Sequence, residues 1–259
     1  MADYLTELFN LKGRTAVVIG GAGHLCSQMA LGLAKCGVGI AVIDKDPDKI
    51  KEIIAKIEKT GAKAIGVTCD VTKKDELISA RDQVLKVFGG VDILINGAGT
   101  NAPTPFFQIT LEEWKSILDS HVTATFLACQ VFGEVMVKRQ KGSIINMSSA
   151  SAGPPLSKAF TYSVAKSGVK NLTQNLGREW AKSNVRVNAL RPGFFPTEWS
   201  MKNFIDKDRE TAILGHTPMG RYGKPEELVG AVLWLSSDAA SFVTGAEITV
   251  DGGFTGMTI

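Results

Sequence analysis

Apolar residues along this chain follow two alternating rhythms. One is a short uninterrupted run, as in Thr15-Ala16-Val17-Val18-Ile19. Similar runs fall at 38–43, 64–68, 91–95, 143–147, 185–190 and 247–250. Runs of this length suit strands covered on both faces. The other rhythm places an apolar residue every three or four positions, which marks one face of a helix. Ala165, Val169, Leu172, Leu176 and Trp180 show it over a segment predicted to end near Ser183.

Punctuation residues set the predicted helix ends. Gly37 closes a helix that begins just after Gly23. Asp46-Pro47 supplies an N-cap and a first-turn proline for a helix to about Thr60, with Gly61 behind it. Thr72 is placed to cap a helix that runs to about Phe88 and stops at Gly89-Gly90. Thr110-Leu111-Glu112-Glu113 reads as a capping box opening one long helix to about Arg139. A short helix is expected over about 202–214, and Pro225-Glu226-Glu227 opens another to about Ser237. Residues 1–13 form a lead-in.

This alternation predicts an α/β fold, a doubly wound parallel seven-stranded sheet with helices on both faces. One domain over 1–259 is expected. Right-handed crossovers bring the C-terminal ends of the strands to one edge. The loops 20–26, 44–45, 70–71, 96–99, 148–161 and 191–197 should therefore line a single crevice. Segment 194–224 is long for a connection and is expected to act as a substrate lid.

Composition narrows the classes of function. With 44% hydrophobic and 21% charged residues, the chain can bury a large core. Its 29 basic and 26 acidic residues are too balanced, and too scattered, for a nucleic-acid partner. No apolar run approaches the roughly 20 residues that a spanning helix needs, so no membrane partner is expected. The stretch from Met1 to Leu11 carries Asp3 and Glu7 and lacks a signal-peptide pattern. Cys26, Cys36, Cys69 and Cys129 form no CxxC pair. Neither a metal site nor a disulfide framework is expected, and a reducing cytoplasm fits.

The candidate chemistry lies in the strand-end loops. Tyr162 and Lys166 are one turn apart on a helix face. A nearby cation favours the phenolate, so the pair can be tuned for proton transfer; the plainer alternative is two residues on a solvated face. Ser149 offers a hydroxyl to a substrate oxygen. Gly20, Gly21 and Gly23, with His24 and Leu25 at the helix start, let backbone and helix N-terminus approach a pyrophosphate. An ordinary tight turn is the alternative. Asp44 ends the next strand, where it can accept hydrogen bonds from ribose hydroxyls and repel a 2′-phosphate. NAD is therefore favoured over NADP, with Lys45 as a complication. Asp70, next to Val71, can bond an adenine amine or simply lead into a helix. Asn96-Gly97-Ala98-Gly99 and Pro192-Gly193 expose backbone near the crevice.

In this order, these pieces resemble the short-chain dehydrogenase/reductase family over nearly the whole chain. Pro225-Glu226-Glu227, Thr244-Gly245 and Asp251-Gly252-Gly253 also match. The resemblance implies a Rossmann-type oxidoreductase that moves hydride between a nicotinamide and an alcohol/carbonyl pair. It implies Tyr162 as general acid/base and Lys166 as the group that lowers its pKa and holds the nicotinamide ribose. Ser149, 13 positions before Tyr162, is implied to bind the reacting oxygen. The Phe195 backbone and Thr197 are implied at the carboxamide, and a homotetramer is implied. Two features depart from the family pattern. Ile19 and Cys26 stand where the glycine loop usually has Thr and Gly. Cys26 is expected as a small buried filler, displacing the helix outward, with a redox-sensitive thiol as the alternative. His121 stands where an Asn supports a water-based proton relay. It either carries a modified relay or is a packed helix residue.

A substrate carboxylate is expected from Lys158 between Ser149 and Tyr162, and from Arg191 before Pro192. His216 and the run Thr197-Glu198-Trp199-Ser200 add polar and aromatic groups in the lid. The 154–158 loop and the 192–197 run resemble the mannonate/fructuronate-reductase and gluconate-dehydrogenase branch. The expected substrate is a sugar acid, a hexuronate or keto-gluconate. Alternatively, Lys158 is solvated and Arg191 pairs with Glu198 or Glu227. Other readings are a 3-oxoacyl, steroid or other ketone reductase of the same family, or a catalytically silent nucleotide-binding module.

Overall fold

Strands β1 (Thr15–Ile19), β2 (Gly39–Asp44), β3 (Ala64–Thr68) and β4 (Ile93–Asn96) are followed by β5 (Gly142–Met147), β6 (Val185–Pro192) and β7 (Glu247–Val250). In this computed structural model they pair in parallel, in the order β3-β2-β1-β4-β5-β6-β7. The structure describes residues 3–258, without the Trp199 side chain. Met1, Ala2 and Ile259, the ends of the expected domain, lie outside the described residues.

Why the sheet is parallel and central follows from β1. All five of its residues are buried, and neighbours along it serve opposite faces. Ala16 and Val18 pack with Met29 and Leu33 of helix α2 (His24–Lys35) and with Ile53 and Ile57 of α3 (Pro47–Glu58). Val17 and Ile19 face the other layer. It contains Leu77 and Val84 of α4 (Lys74–Phe88), Phe132 and Met136 of α6 (Ala124–Lys138), and Leu176 and Trp180 of α7 (Phe160–Trp180). A short α1 (Tyr4–Leu8) lies within the lead-in.

Local chemistry explains several boundaries. Asp46 caps α3 by accepting from the Asp48 and Lys49 amides, with Pro47 in the first turn. Thr110 caps α5 (Leu111–Leu118) through the Glu113 amide at 3.1 Å. The Glu113 side chain takes the Thr104 hydroxyl instead of completing the box. Thr72 caps no helix, because its hydroxyl and amide both bind Asp70, and α4 starts at Lys74. The long helix expected through Arg139 is interrupted by a π-helical turn over Asp119–Thr123. Past β6 the expected single helix is two, α8 (Glu198–Asn203) and α9 (Lys207–Gly215). Pro225–Leu228 is a 3₁₀ turn leading into α10 (Val229–Ser236).

The chain reverses its strand order between β1 and β4, which opens a crevice at their carboxyl ends. A buried polar bridge fixes what lines it. Asn96 of β4 donates to Asn146 of β5 at 2.8 Å, and Asn146 donates to Thr173 of α7 at 2.9 Å. The strand that leads to Ser149 is thereby tied to the helix that carries Tyr162.

Candidate active site

A cavity of about 450 Å³ occupies the crevice. At one end lie Gly20, Gly23, His24 and Leu25; Ser149, Tyr162 and Lys166 line the middle. Gly97, Gly99, Pro192, Gly193 and Phe195 also face it, while Ser200, Phe204, Ile205 and Arg209 close it from segment 194–224. Pieces widely separated in sequence therefore meet, as the alternation predicts.

The glycine turn is built for close approach. Gly20 has φ +67°, and a Cβ there would sit 2.7 Å from the Ala98 amide nitrogen. Helix α2 begins with Gly23 as N-cap and no side-chain cap, which leaves its first amides available to an anion. Asp44, at the end of β2, accepts from the Ala22 amide at 3.1 Å, so its carboxylate is held against this turn. These features fit a dinucleotide: amides for the pyrophosphate and a carboxylate for the ribose. Gly21 packs under the turn against Val18 and Val42, so it shapes the loop from behind.

Other predicted cofactor residues are placed less directly. Lys45 is exposed beside Asp44. Asp70 spends one carboxylate oxygen on the Thr72 hydroxyl and amide, and these hydrogen bonds hold its pKa below the usual range. Val71 follows it and packs on the core. Asn96 turns its side chain into the polar bridge beneath the site, and Ala98 packs on the core while its backbone backs Gly20. Thr197 caps α8, accepting from the Ser200 amide at 3.0 Å.

The Ser149 oxygen accepts from the amide and the hydroxyl of Ser151, at 3.2 and 3.1 Å. With its lone pairs used, Ser149 has its own O–H left to donate. Ser148 is turned away and donates to Glu247 at 2.6 Å. Ser151, which is 1% exposed, is a supporting residue, where the sequence offers it only as an alternative to Ser149. Its signal was only a third serine in the same run.

Tyr162 and Lys166 differ from expectation. Burial raises the Tyr162 pKa, against a smaller lowering by hydrogen bonding with Ser149. Lys166 donates to the Met147 carbonyl at 2.6 Å, and its ammonium lies 5.5 Å from the Tyr162 ring centroid. Burial brings the Lys166 pKa down to about 8. The expected lowering of the phenol by this cation is not seen; desolvation dominates, and Tyr162 is a protonated phenol at neutral pH.

His121 lies within the π turn, 4% exposed, with its ring 5.1 Å from that of Tyr162. Its Nε2 bonds the Thr100 carbonyl at 2.8 Å, so Nε2 carries the hydrogen. Nδ1 is buried without a partner. Burial first, then the Lys166 charge, pushes its pKa down to about 3. A Cβ on Gly99 would run into this ring, which accounts for the glycine there. Cys26 fits the filler expectation. Its sulfur occupies the space that a Gly97 side chain would need, and burial raises its pKa to about 12. Such a thiol holds almost no thiolate at neutral pH.

Both cations chosen from sequence for a substrate carboxylate are corrected. Arg191 pairs with Glu247 at 3.2 Å and donates to the Ala150 carbonyl at 3.1 Å, locking β6 to β7. Lys158, at φ +58°, reaches out of the cavity to Asp206 at 2.8 Å. His216 also stands apart, with its ring 4.8 Å from Phe254. The Trp199 side chain lies outside the described residues. Instead, Arg209 brings a cation to the cavity.

A parallel sheet with a phosphate-ready glycine turn at its switch point, beside a Ser–Tyr–Lys group, defines a dinucleotide-dependent oxidoreductase. A family model described as enoyl-(acyl carrier protein) reductase matches residues 22–255. The chain is similar to the "uncharacterized oxidoreductase UxuB" of Bacillus subtilis, at 39% identity over 95% of this chain and 96% of that one. It is 36% identical to the 2-dehydro-3-deoxy-D-gluconate 5-dehydrogenase of Formosa agariphila, over 95% and 94% of the two chains. Among solved structures, a gluconate 5-dehydrogenase from Burkholderia cenocepacia, in complex with NADP and tartrate, superposes with a TM-score of 0.93. That match has 29% identity and covers 98% of this chain and 100% of that one. The chain belongs to the short-chain dehydrogenase/reductase family and is an NAD(P)-dependent oxidoreductase acting on CH–OH groups.

Proposed function

We propose that this oxidoreductase acts on a small sugar acid, a hexuronate or keto-gluconate, with NAD(H) as its cofactor. The observation that carries this reading is the meeting of Ser149 and Tyr162 in one cavity with the glycine turn and a lid-borne cation. Gly20, Gly23 and the first α2 amides would hold the pyrophosphate, and Asp44 the adenosine ribose. When bound, the nicotinamide supplies or accepts hydride. Ser149 directs its O–H at the substrate oxygen. Tyr162 gives its proton to that oxygen in reduction and recovers one in oxidation. Lys166 keeps a positive charge beside the phenol below about pH 8 and favours the phenolate once the proton has left. His121, neutral at working pH, offers Nδ1 as an acceptor at the cavity wall and supports a relay through hydrogen bonds.

Segment 194–224 is the lid in this reading, with α8 and α9 over the cavity mouth. Relatives named for gluconate and deoxygluconate chemistry support the sugar acid. Asp44 supports NAD(H), although the Burkholderia structure holds NADP. Exposed Phe106, Phe107 and Phe160 stack at 4.7–5.5 Å. An apolar surface of this kind supports a homotetramer, and the four unpaired cysteines support a reducing cytoplasm.

The test is steady-state reduction of hexuronates, keto-gluconates, neutral ketoses and acetoacetyl thioesters, each with NADH and NADPH. The sugar acids are expected to have the highest kcat/KM, and NADH to exceed NADPH. Best turnover of thioesters or neutral ketoses would reject the substrate, and a preference for NADPH would reject the role of Asp44.

A further inference from the structure

Arg209 brings to the cavity a positive charge that the proton chemistry does not use. It lies in the first turn of α9, and its guanidinium lines the wall together with Phe204 and Ile205. Nη1 donates to the Ser157 hydroxyl. Nε is buried and has no hydrogen-bond partner. Among the described residues no carboxylate lies within ion-pair distance of it. Asp206, three positions before it, already holds Lys158 at 2.8 Å and the Arg209 amide at 2.8 Å. Burial works against the Arg209 charge and draws its pKa below the ordinary value. A partly desolvated guanidinium with unused donors gains most from an anion that fits its fork.

The same cavity supplies a complementary group. Asn101 lines the same cavity, and its Oδ1 is buried without a partner. Its Nδ2 contacts the Lys158 carbonyl at 3.4 Å, so the oxygen is the unpaired end of the amide. A free acceptor suits a hydroxyl, whereas a carboxylate needs donors.

We infer that Arg209 is the specificity-determining residue that binds the substrate carboxylate, with Asn101 accepting a hydrogen bond from one of the substrate's hydroxyls. This rests on the sugar-acid reading and assigns its recognition to the lid. The cavity of about 450 Å³ has room for a six-carbon acid beside the nicotinamide end. Two bridges, Arg209 to Ser157 and Lys158 to Asp206, join the lid to the loop before Tyr162. Because the anchor is carried by α9, an acid substrate holds the lid against that loop.

The experiment uses the full chain as Arg209→Met, Arg209→Lys and Ser157→Ala. KM and kcat are measured for a keto-gluconate and for a neutral ketohexose, and NADH affinity is measured by fluorescence to verify folding. For Arg209→Met the acid KM should rise on the order of 10–100-fold, while the ketohexose kcat/KM shifts far less. Arg209→Lys should recover part of the loss. Ser157→Ala retains the cation and cuts its tether, so the acid KM should stay near the wild-type value. The inference is overturned if Arg209→Met impairs acid and ketohexose equally, or leaves the acid KM unchanged. It is also overturned if Ser157→Ala raises the acid KM as much as Arg209→Met. If wild type prefers the ketohexose, the sugar-acid reading fails first and takes the anchor with it. Acid turnover that is indifferent to Arg209 sinks the anchor alone.

Discussion

A neutral imidazole beside Tyr162 has two separable consequences. His121 is held at a pKa of about 3, so it binds no proton across the working range. The kcat profile should therefore keep the same midpoints between wild type and His121→Asn. A step near pH 6.5 that is present in wild type and lost in the variant would contradict the neutral imidazole. Stability behaves differently. The unfolded chain protonates this side chain near pH 6.5 and the folded chain only near 3, so unfolded molecules bind more protons in between. Its contribution is present above about 6.5 and is lost as pH falls toward 3. His121→Asn should show a shallower loss of stability over that window, measured by denaturant melts.

At this scale the sequence reveals some groups and hides others for a physical reason. Ser149, Tyr162 and Lys166 sit at a strand end and along one helix turn, where spacing determines placement. Arg191 does not reveal its partner, because Glu247 lies 56 positions away on another strand. Lys158 is likewise claimed by Asp206, 48 positions on. Arg209 goes unnoticed because a cation on a short surface helix looks solvated until the fold sets α9 against the cavity.

Among the elements, strands and caps are the most legible and irregular helices the least. Seven short apolar runs become seven strands with bounds within two residues of expectation. The π turn at Asp119–Thr123 leaves no mark in the 3–4 apolar rhythm, yet it brings His121 into the site. The division of segment 194–224 into α8 and α9 follows from local capping by Thr197 and Asp206. Asp206 does two things, capping α9 and binding Lys158, and two variants separate them. Asp206→Asn keeps a cap and drops the ion pair, whereas Asp206→Ala removes both. Amide hydrogen exchange within 207–215 should speed up several-fold in the Ala variant and much less in the Asn variant. Equal acceleration would show that the exposed ion pair, and not the cap, holds α9.

Across the whole molecule, the order β3-β2-β1-β4-β5-β6-β7 does most to assemble the site. It brings the glycine turn after β1, Ser149 after β5 and Pro192 at the end of β6 to one edge, with the Asn96–Asn146–Thr173 bridge setting their height relative to α7. The most direct test of the central claim compares wild type with Tyr162→Phe in two assays on one preparation: NADH binding by fluorescence titration and steady-state reduction of a keto-gluconate. Removing the hydroxyl deletes the proton donor and little of the ring packing. NADH affinity should be unchanged, while kcat falls by roughly 10²–10⁴-fold. Turnover within a few-fold of wild type, with NADH still bound, would remove Tyr162 from the chemistry and contradict the account.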